Sequence, residues 1–359
     1  MEHILGWIAK LFALVVAFIT AGGLQSDMAD RQAQATLQRA EAALRSQGGS
    51  RIVLKVDTDA LREAMSIELR DDARRLLRDE HIPFAGLAAH DGGVEVRIRE
   101  AKDRERALGK LASLSEATSG GRSIDVADMG EGLIRLTPAE SGFADRLRTL
   151  RRQSMEVIAR RLDGVGVASP GLQPDGLDRI RVVLPGVKDP GRLSALFDKR
   201  ARIGFRLVDV SMTAEEALKG APPPGSEVLY ELNTRVPHLL LKQAALAGDD
   251  IVDAAPGFDQ RTNEPIVSFR FNANGTRRFA QLTQDNVGRP FAIVLDNDVL
   301  SAPIIREPIL GGSGQISGRF TVQDAHSIAL LLRSGTLPGR LSVVEQQVVE
   351  PEGEAGKKS

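Results

Sequence analysis

Five histidines (His3, His81, His90, His238 and His326) are the residues of this chain best suited to metal ligation or proton transfer, and they are scattered. No metal-ligand spacing links them and no His-Glu-x-x-His motif occurs, so each reads as a surface or helix-end residue. Asp296-Asn297-Asp298 offers carboxylates, but an EF-hand loop also needs oxygens at alternate positions, a fixed glycine and a distal glutamate. Those are missing, and the triplet reads as a hairpin turn. Gly164-Val165-Gly166 resembles part of a dinucleotide fingerprint, which must follow a strand and open a helix; here it follows a helical pattern. Gly311-Gly312-Ser313-Gly314 lacks the Lys-Ser/Thr of a phosphate loop, and there is no Gly-x-Ser-x-Gly elbow. Cysteine is absent, which removes disulfides, thiolate sites and a thiol nucleophile. No catalytic, cofactor-binding or metal-binding residue is assigned, and the chain is not read as an enzyme. An exported hydrolase of unrecognised type is the one catalytic alternative.

Composition narrows the class further. The 359 residues suggest two or three domains. Apolar residues at 42% and charged residues at 26% describe a folded chain rather than a disordered one. Lys and Arg (47) almost cancel Asp and Glu (48), and aromatics are only 4%. Neither the basic excess nor the stacking residues of a nucleic-acid binder are present.

The N-terminus supplies an address. From Ile4 to Leu24 the chain is apolar apart from Lys10 and Thr20, and as a helix it would span roughly 31 Å, about one hydrocarbon core. One reading places Lys10 at the cytoplasmic edge, with Leu11–Ala21 the core of a signal peptide and Ala21-Gly22-Gly23 its cleavage region. The favoured reading keeps residues 1–24 as a single membrane anchor with Lys10 snorkelling. Everything after Leu24 is then water-facing on one side of a membrane.

Residues 25–49 are polar and alanine-rich, with Ala33, Leu37, Ala40 and Leu44 at helical spacing, and read as a helical stalk ended by Gly48-Gly49. Arg51–Asp57 predicts a strand, Leu61 to Leu76 a helix, Phe84–Ala88 and Val94–Ile98 two strands, Leu108 to Leu114 a helix, and Ile124–Val126 a strand. That order, βαββαβ, is the split ferredoxin-like pattern. It then repeats: Gly132–Thr137, a helix carrying Leu147, Leu150, Val157, Ile158 and Leu162, strands at Val167–Gln173 and Arg179–Leu184, a short helix capped by Asp189 with Pro190 at its start, and Arg202–Val208. Beyond Asp209, Thr213 and Glu216 have capping-box spacing. Further on come a strand at Pro265–Phe271 and a helix at Thr276–Thr283 reached through Asn274-Gly275. A hairpin Phe291–Leu295/Val299–Arg306 and a helix Thr321–Leu332 follow. Leu341–Val349 is the last strand, expected to add to a sheet begun earlier.

Several runs resemble a known family. Arg160-Arg161-Leu162-Asp163-Gly164-Val165-Gly166-Val167-Ala168-Ser169-Pro170, then Asp178 to Val187 (DRIRVVLPGV) and Phe205-Arg206-Leu207-Val208, resemble the periplasmic base of the preprotein translocase subunit SecD. Phe271-Asn272, Asn286-Val287-Gly288, Ala292 to Asp296 (AIVLD) and Ser301 to Ile305 (SAPII) resemble the head inserted into that base. Leu331 to Pro338 (LLRSGTLP) resembles the return to it. The likeness covers roughly residues 50–350, in order.

The resemblance implies an α+β protein: two tandem ferredoxin-like βαββαβ units with an inserted α+β head lobe, after an N-terminal membrane helix. The domains expected are a ferredoxin-like unit at 50–130, a periplasmic base at 131–209 and 336–350, a head at 210–335 and a disordered tail at 351–359. It also implies a SecD-like accessory protein of Sec-dependent export that binds translocating polypeptide through a mobile head. Its implied partners are the Sec translocation channel, a SecF-like membrane partner and secreted polypeptides. The implied place is the inner membrane, single pass with the bulk in the periplasm, or a soluble periplasmic form after cleavage. The rival is a periplasmic interaction or assembly module that kept the fold but not translocation. Hinge candidates are the two crossings between lobes, Val208, Asp209 and Val210 on one side and Gly335, Pro338 and Gly339 on the other. Family members continue into five further membrane helices bearing an aspartate used in proton transfer. Residues 1–359 include neither, so no proton path is assigned. Of the family's Gly-Leu-Asp-Leu-Arg-Gly-Gly run only Gly48-Gly49 remains, after Arg45-Ser46-Gln47, which places normal docking of the stalk against a membrane partner in doubt.

Overall fold

The computed structural model describes residues 34–118 and 121–352. The expected membrane segment at residues 1–24 and most of the expected tail lie outside them. Among the described residues no helix is long and apolar enough to cross a membrane. The fold is mixed α and β, with several sheets and the chain divided into two compact units.

The first unit takes in the described parts of Met1–Lys55, Gly166–Ser194 and Val343–Ser359. Its sheet runs Leu341–Val349, Gly49–Val56, Arg179–Pro185, Gly171–Asp175, which in chain order is fourth, first, third, second. Gly49–Val56 is an inner strand because it is apolar on both faces: Ile52, Val53 and Leu54 are all buried, as a strand with neighbours on each side requires. The last strand returns to a sheet begun some three hundred residues earlier, as expected. The helix over residues 34–47 is not a free stalk. Its Ala40 and Leu44 are fully buried against Val183, with Leu37 and Val349 beside them. Glu352 N–H, within the expected tail, donates to the Arg45 carbonyl at 2.8 Å.

The second unit, Val56–Val165 and Ala195–Ser342, holds the other sheets. One runs Ala85–His90, Gly93–Arg97, Leu133–Pro138, Ile124–Gly130. Helices Thr58–Asp79 and Ala101–Ala112 bury Leu69, Ala73, Leu77, Ala107 and Leu111 with Val94, Val96, Ile134 and Leu136 of that sheet. Two successive units, each closed from its own strands, are therefore not what the sheets show. Gly49–Val56, expected to open the first unit, pairs with Arg179–Pro185, and Leu133–Pro138, expected to open the second, pairs with Gly93–Arg97. Period-two patterning names a strand and its buried face but not its partner.

The rest of this unit is a larger lobe. A six-stranded sheet runs Pro237–Leu241, Ser226–Glu231, Asp298–Ser301, Phe291–Leu295, Ile203–Leu207, Leu246–Ala247. Ile203–Leu207 does not close the second ferredoxin-like unit, but pairs with Phe291–Leu295. Just past its end Val208 bridges Leu240 on the opposite edge, so the sheet curls back on itself. A three-stranded sheet, Ile251–Phe258, Pro265–Phe271, Ser313–Ser317, packs under helix Val322–Ser334. Between the sheets lies a phenylalanine cluster centred on Phe205, whose ring is 5.4 Å from that of Phe279 and 5.6 Å from that of Phe271. Each such side chain contributes about 1.5–3 kcal/mol by burial. Helix Ala273–Asp285 begins earlier than expected because Asn272, not the Asn274-Gly275 pair, accepts the Gly275 N–H as its cap.

Candidate functional site

Helix Glu140–Gly164 buries Leu147, Leu150, Ser154, Val157, Ile158 and Leu162 on one stripe, and Arg161 lies on that stripe with them. Arg161 is fully buried. Its Nη1 donates to the carbonyls of Leu196 at 2.5 Å and Lys199 at 2.6 Å. Nη2 donates to the carbonyls of Arg200 and Gly335, each at 3.2 Å, and Nε to Ser334 Oγ at 3.3 Å. These acceptors cluster at the C-terminal ends of helices Ser194–Asp198 and Val322–Ser334, where carbonyls lack intrahelical partners and carry partial negative charge. Burial pushes the guanidinium down to about 10, with Asp296 acting in the opposite sense and Arg160 adding to the lowering. It is still charged at neutral pH. A desolvated charge is tolerable here because its donors meet acceptors on all sides.

The two backbone crossings run side by side around this arginine. Leu337 N–H donates to the Arg200 carbonyl at 2.7 Å, and Thr336 Oγ1 to the Ala201 carbonyl at 3.1 Å. Arg160 Nε reaches the Ser334 carbonyl at 2.9 Å. Asp296 accepts the backbone N–H of Arg202 at 2.9 Å and of Ala201 at 3.2 Å. Residues 199–202 entering the large lobe and residues 334–338 leaving it thus form a neck, pinned by a side chain from a third segment.

Of the hinge candidates, Gly335, Pro338 and Gly339 lie in or beside this neck. The Pro338 carbonyl accepts from Arg200, and Gly339 faces Leu150. Val208, Asp209 and Val210 do not join them. They run along the large lobe, where Asp209 N–H donates to the Leu239 carbonyl at 2.9 Å. The crossing that does face Gly335, residues 199–202, carries no hinge signal in the sequence. Arg161 carries none of a buried role beyond its spacing, four from Val157 and seven from Ser154, on the apolar side of an otherwise amphipathic helix.

Val208 to Val210 instead form one wall of a groove of about 410 Å³. The strand Pro237–Leu241 adjoins that wall through the Asp209–Leu239 hydrogen bond, with Leu239 buried, and residues 212–216 at the start of helix Ala214–Lys219 complete the lining. Val210 is 69% exposed and Met212 36%. Asp209 is held below the ordinary carboxylate range by the Ser226 hydroxyl and by Ser211. Glu216 is held low by the backbone N–H and hydroxyl of Thr213, the expected capping box. His238 Nε2 lies 3.1 Å from Glu231 Oε1. Among the described residues no group of three His, Asp or Glu side chains converges in metal-holding geometry.

Comparison with known proteins places these features in a family. The family model for the SecDF P1 head subdomain matches residues 226–339, and that for the N-terminal part of the P1 domain of protein translocase subunit SecDF matches residues 151–210. Protein translocase subunit SecD of Rickettsia bellii (strain RML369-C) is 36% identical over 308 residues, covering 85% of this chain and 57% of the relative. SecD of Calditerrivibrio nitroreducens is 31% identical over 367 residues, covering 98% of this chain and 67% of the relative. The solved structure titled "Structure and function of a membrane component SecDF that enhances protein export" is 35% identical, covers 55% of this chain and 92% of its own, and has a TM-score of 0.45. The chain spans a little over half the length of the first curated relatives it matches, 57% to 58%.

Proposed function

The chain belongs to the SecD family of protein translocase subunits, and from that premise we propose that it assists Sec-dependent export by binding translocating polypeptide through a mobile head, the large lobe described above. The observation that carries this reading is the neck. Chain enters and leaves the head at one place, through two short crossings laid together, which is how a lobe pivots as a body. Such a device holds and releases cargo and makes or breaks no covalent bond. The reading gives the chain the Sec channel and a SecF-like membrane partner as neighbours. It places the N-terminal segment in the inner membrane and the bulk in the periplasm, or in the periplasm alone if that segment is cut. The hinge is assigned to Gly335, Pro338 and Gly339 with residues 199–202 opposite. Val208 to Val210 become the segment that carries the pivot into the groove wall.

In fold terms this reading is of nested rather than tandem ferredoxin-like units. The strands of the first sheet, with helices Glu140–Gly164 and Val322–Ser334 between them in chain order, give βαββαβ in the split order. The second such sheet, with its strands circularly permuted, occupies the first crossover and the head the second.

Since the chain has no cysteine, engineered pairs report without background. A photocrosslinker at Val210 during export of a stalled secretory protein is expected to capture that protein. Capture of only a constant folded partner supports the assembly-module reading instead. Oxidising the pair Ala201→Cys, Thr336→Cys is expected to abolish export stimulation and reduction to restore it. Undiminished stimulation in the oxidised state rules out a pivot at the neck.

A further inference from the structure

We propose that the groove lined by Val208 to Val210, Met212 to Glu216 and Pro237 to Leu239 is the seat for the polypeptide, and that it selects an extended apolar stretch carrying lysine or arginine. This rests on the reading of the head as polypeptide-binding and adds where on the head, and for what chemistry.

Three observations converge. The groove walls present apolar side chains to water, with Val210 69% and Met212 36% exposed. Such a surface has binding free energy in reserve. The charged lining is of one sign: Asp209, Glu215 and Glu216 line the groove, and no lysine or arginine does. His238, the one basic ring in the lining, is already paired with Glu231. The backbone beneath is spoken for as well, since Val208 bridges Leu240 and Asp209 N–H donates to Leu239. Recognition therefore runs through side chains. Apolar contact is non-directional and tolerates varied sequences, so charge supplies the discrimination.

The negative charge is also durable. Hydrogen bonds from Ser226 and Ser211 hold Asp209 ionised well into acid, and Thr213 does the same for Glu216. An anionic segment would meet carboxylates that stay charged to a lower pH than ordinary Asp and Glu side chains.

The test titrates the full chain with three short fluorescent peptides of equal leucine content, interspersed with lysine, glutamine or glutamate. Anisotropy is expected to show the lysine peptide binding about tenfold tighter than the glutamate peptide, with glutamine between, as a few screened charges allow. Raising salt should narrow the gap. The pair Asp209→Asn, Glu215→Lys should erase or invert the ranking. Val210→Ser should weaken all three peptides alike. Circular dichroism melts confirm that each variant is folded, and the single Glu215→Gln variant, expected to narrow the ranking, repeats the measurement with the smallest change. Equal binding of the lysine and glutamate peptides overturns the charge selection. A ranking unchanged in the double variant overturns the groove as its source. Failure of every peptide to bind overturns the polypeptide-binding head itself, together with this seat.

Discussion

One crossing of the neck, residues 199–202, runs on into the groove lining at Val208 to Val210, and the two places treat their side chains in opposite ways. At the neck a whole positive charge is taken out of water, and its cost is offset by five hydrogen bonds and two helix ends. At the groove valine and methionine side chains are left in water, where burial would have stabilised the fold. A buried charge with its donors satisfied has one good geometry, so in the proposed reading Arg161 keeps the two crossings together as a single pivot. An exposed apolar wall has no such fixed partner, as the proposed seat requires.

That contrast predicts a large asymmetry between variants. Arg161→Met removes the guanidinium donor from the carbonyls of Leu196, Lys199 and Gly335, and leaves the Arg200 carbonyl with the Leu337 N–H alone. Unfolding followed by circular dichroism in urea should show a loss of roughly 3–5 kcal/mol. Arg161→Lys keeps the charge with fewer donors and should fall between. Stability equal to that of the parent in Arg161→Met would mean that the neck is held by packing alone. Next in size is Gly335→Ala. Gly335 has φ 87° and ψ 169°, a region open essentially to glycine, so a side chain there should cost about 1–3 kcal/mol by the same measurement. The groove should behave otherwise: Val210→Ser should alter stability by no more than about 0.5 kcal/mol while peptide binding drops. Stability falling together with binding would make Val210 a structural residue and erase the contrast.

What the sequence made legible follows the range of the signal. Short-range chemistry was readable: Thr213 and Glu216 three apart form the capping box, and Asp296 turns the hairpin between Phe291–Leu295 and Asp298–Ser301. A periodic apolar face was readable too, as in helix Val322–Ser334. Pairing was not. Gly49–Val56 looks like the opening strand of a local unit, because nothing in its own residues tells that Arg179–Pro185 and Leu341–Val349 flank it. Helix 34–47 reads as a stalk since its apolar face is narrow, only Ala40 and Leu44 being fully buried. Arg161 gives no signal of burial by residue type, because arginine normally belongs to the solvent face of a helix. The residue that defies its helix's pattern turned out to pin the neck, as expected where local and global preferences conflict. Asp296 sits in an acidic triplet that reads as a hairpin turn. Its carboxylate also serves the backbone of Ala201 and Arg202, a partnership nearly a hundred residues away in sequence and invisible from it.

The smallest effect concerns how long the groove keeps its charge as the solution turns acid. The Ser226 hydroxyl is the chief reason that Asp209 titrates below its ordinary 3.8. Hydrogen bonding to the ionised form favours that form. Because the folded value is the depressed one, this contribution to stability is complete above the unfolded value and is lost as pH falls through the folded value. The window therefore lies below about pH 4. Ser226→Ala should move the Asp209 carboxyl resonance, followed by NMR, back toward 3.8, leaving the Ser211 contacts to hold it slightly low. Over the same window the lysine peptide should leave the variant's groove at a higher pH than it leaves the parent's. An Asp209 titration unchanged in Ser226→Ala would place the source of the shift in the Ser211 contacts instead. The groove would then owe its lasting charge to a two-residue turn on its own rim rather than to the strand beneath it.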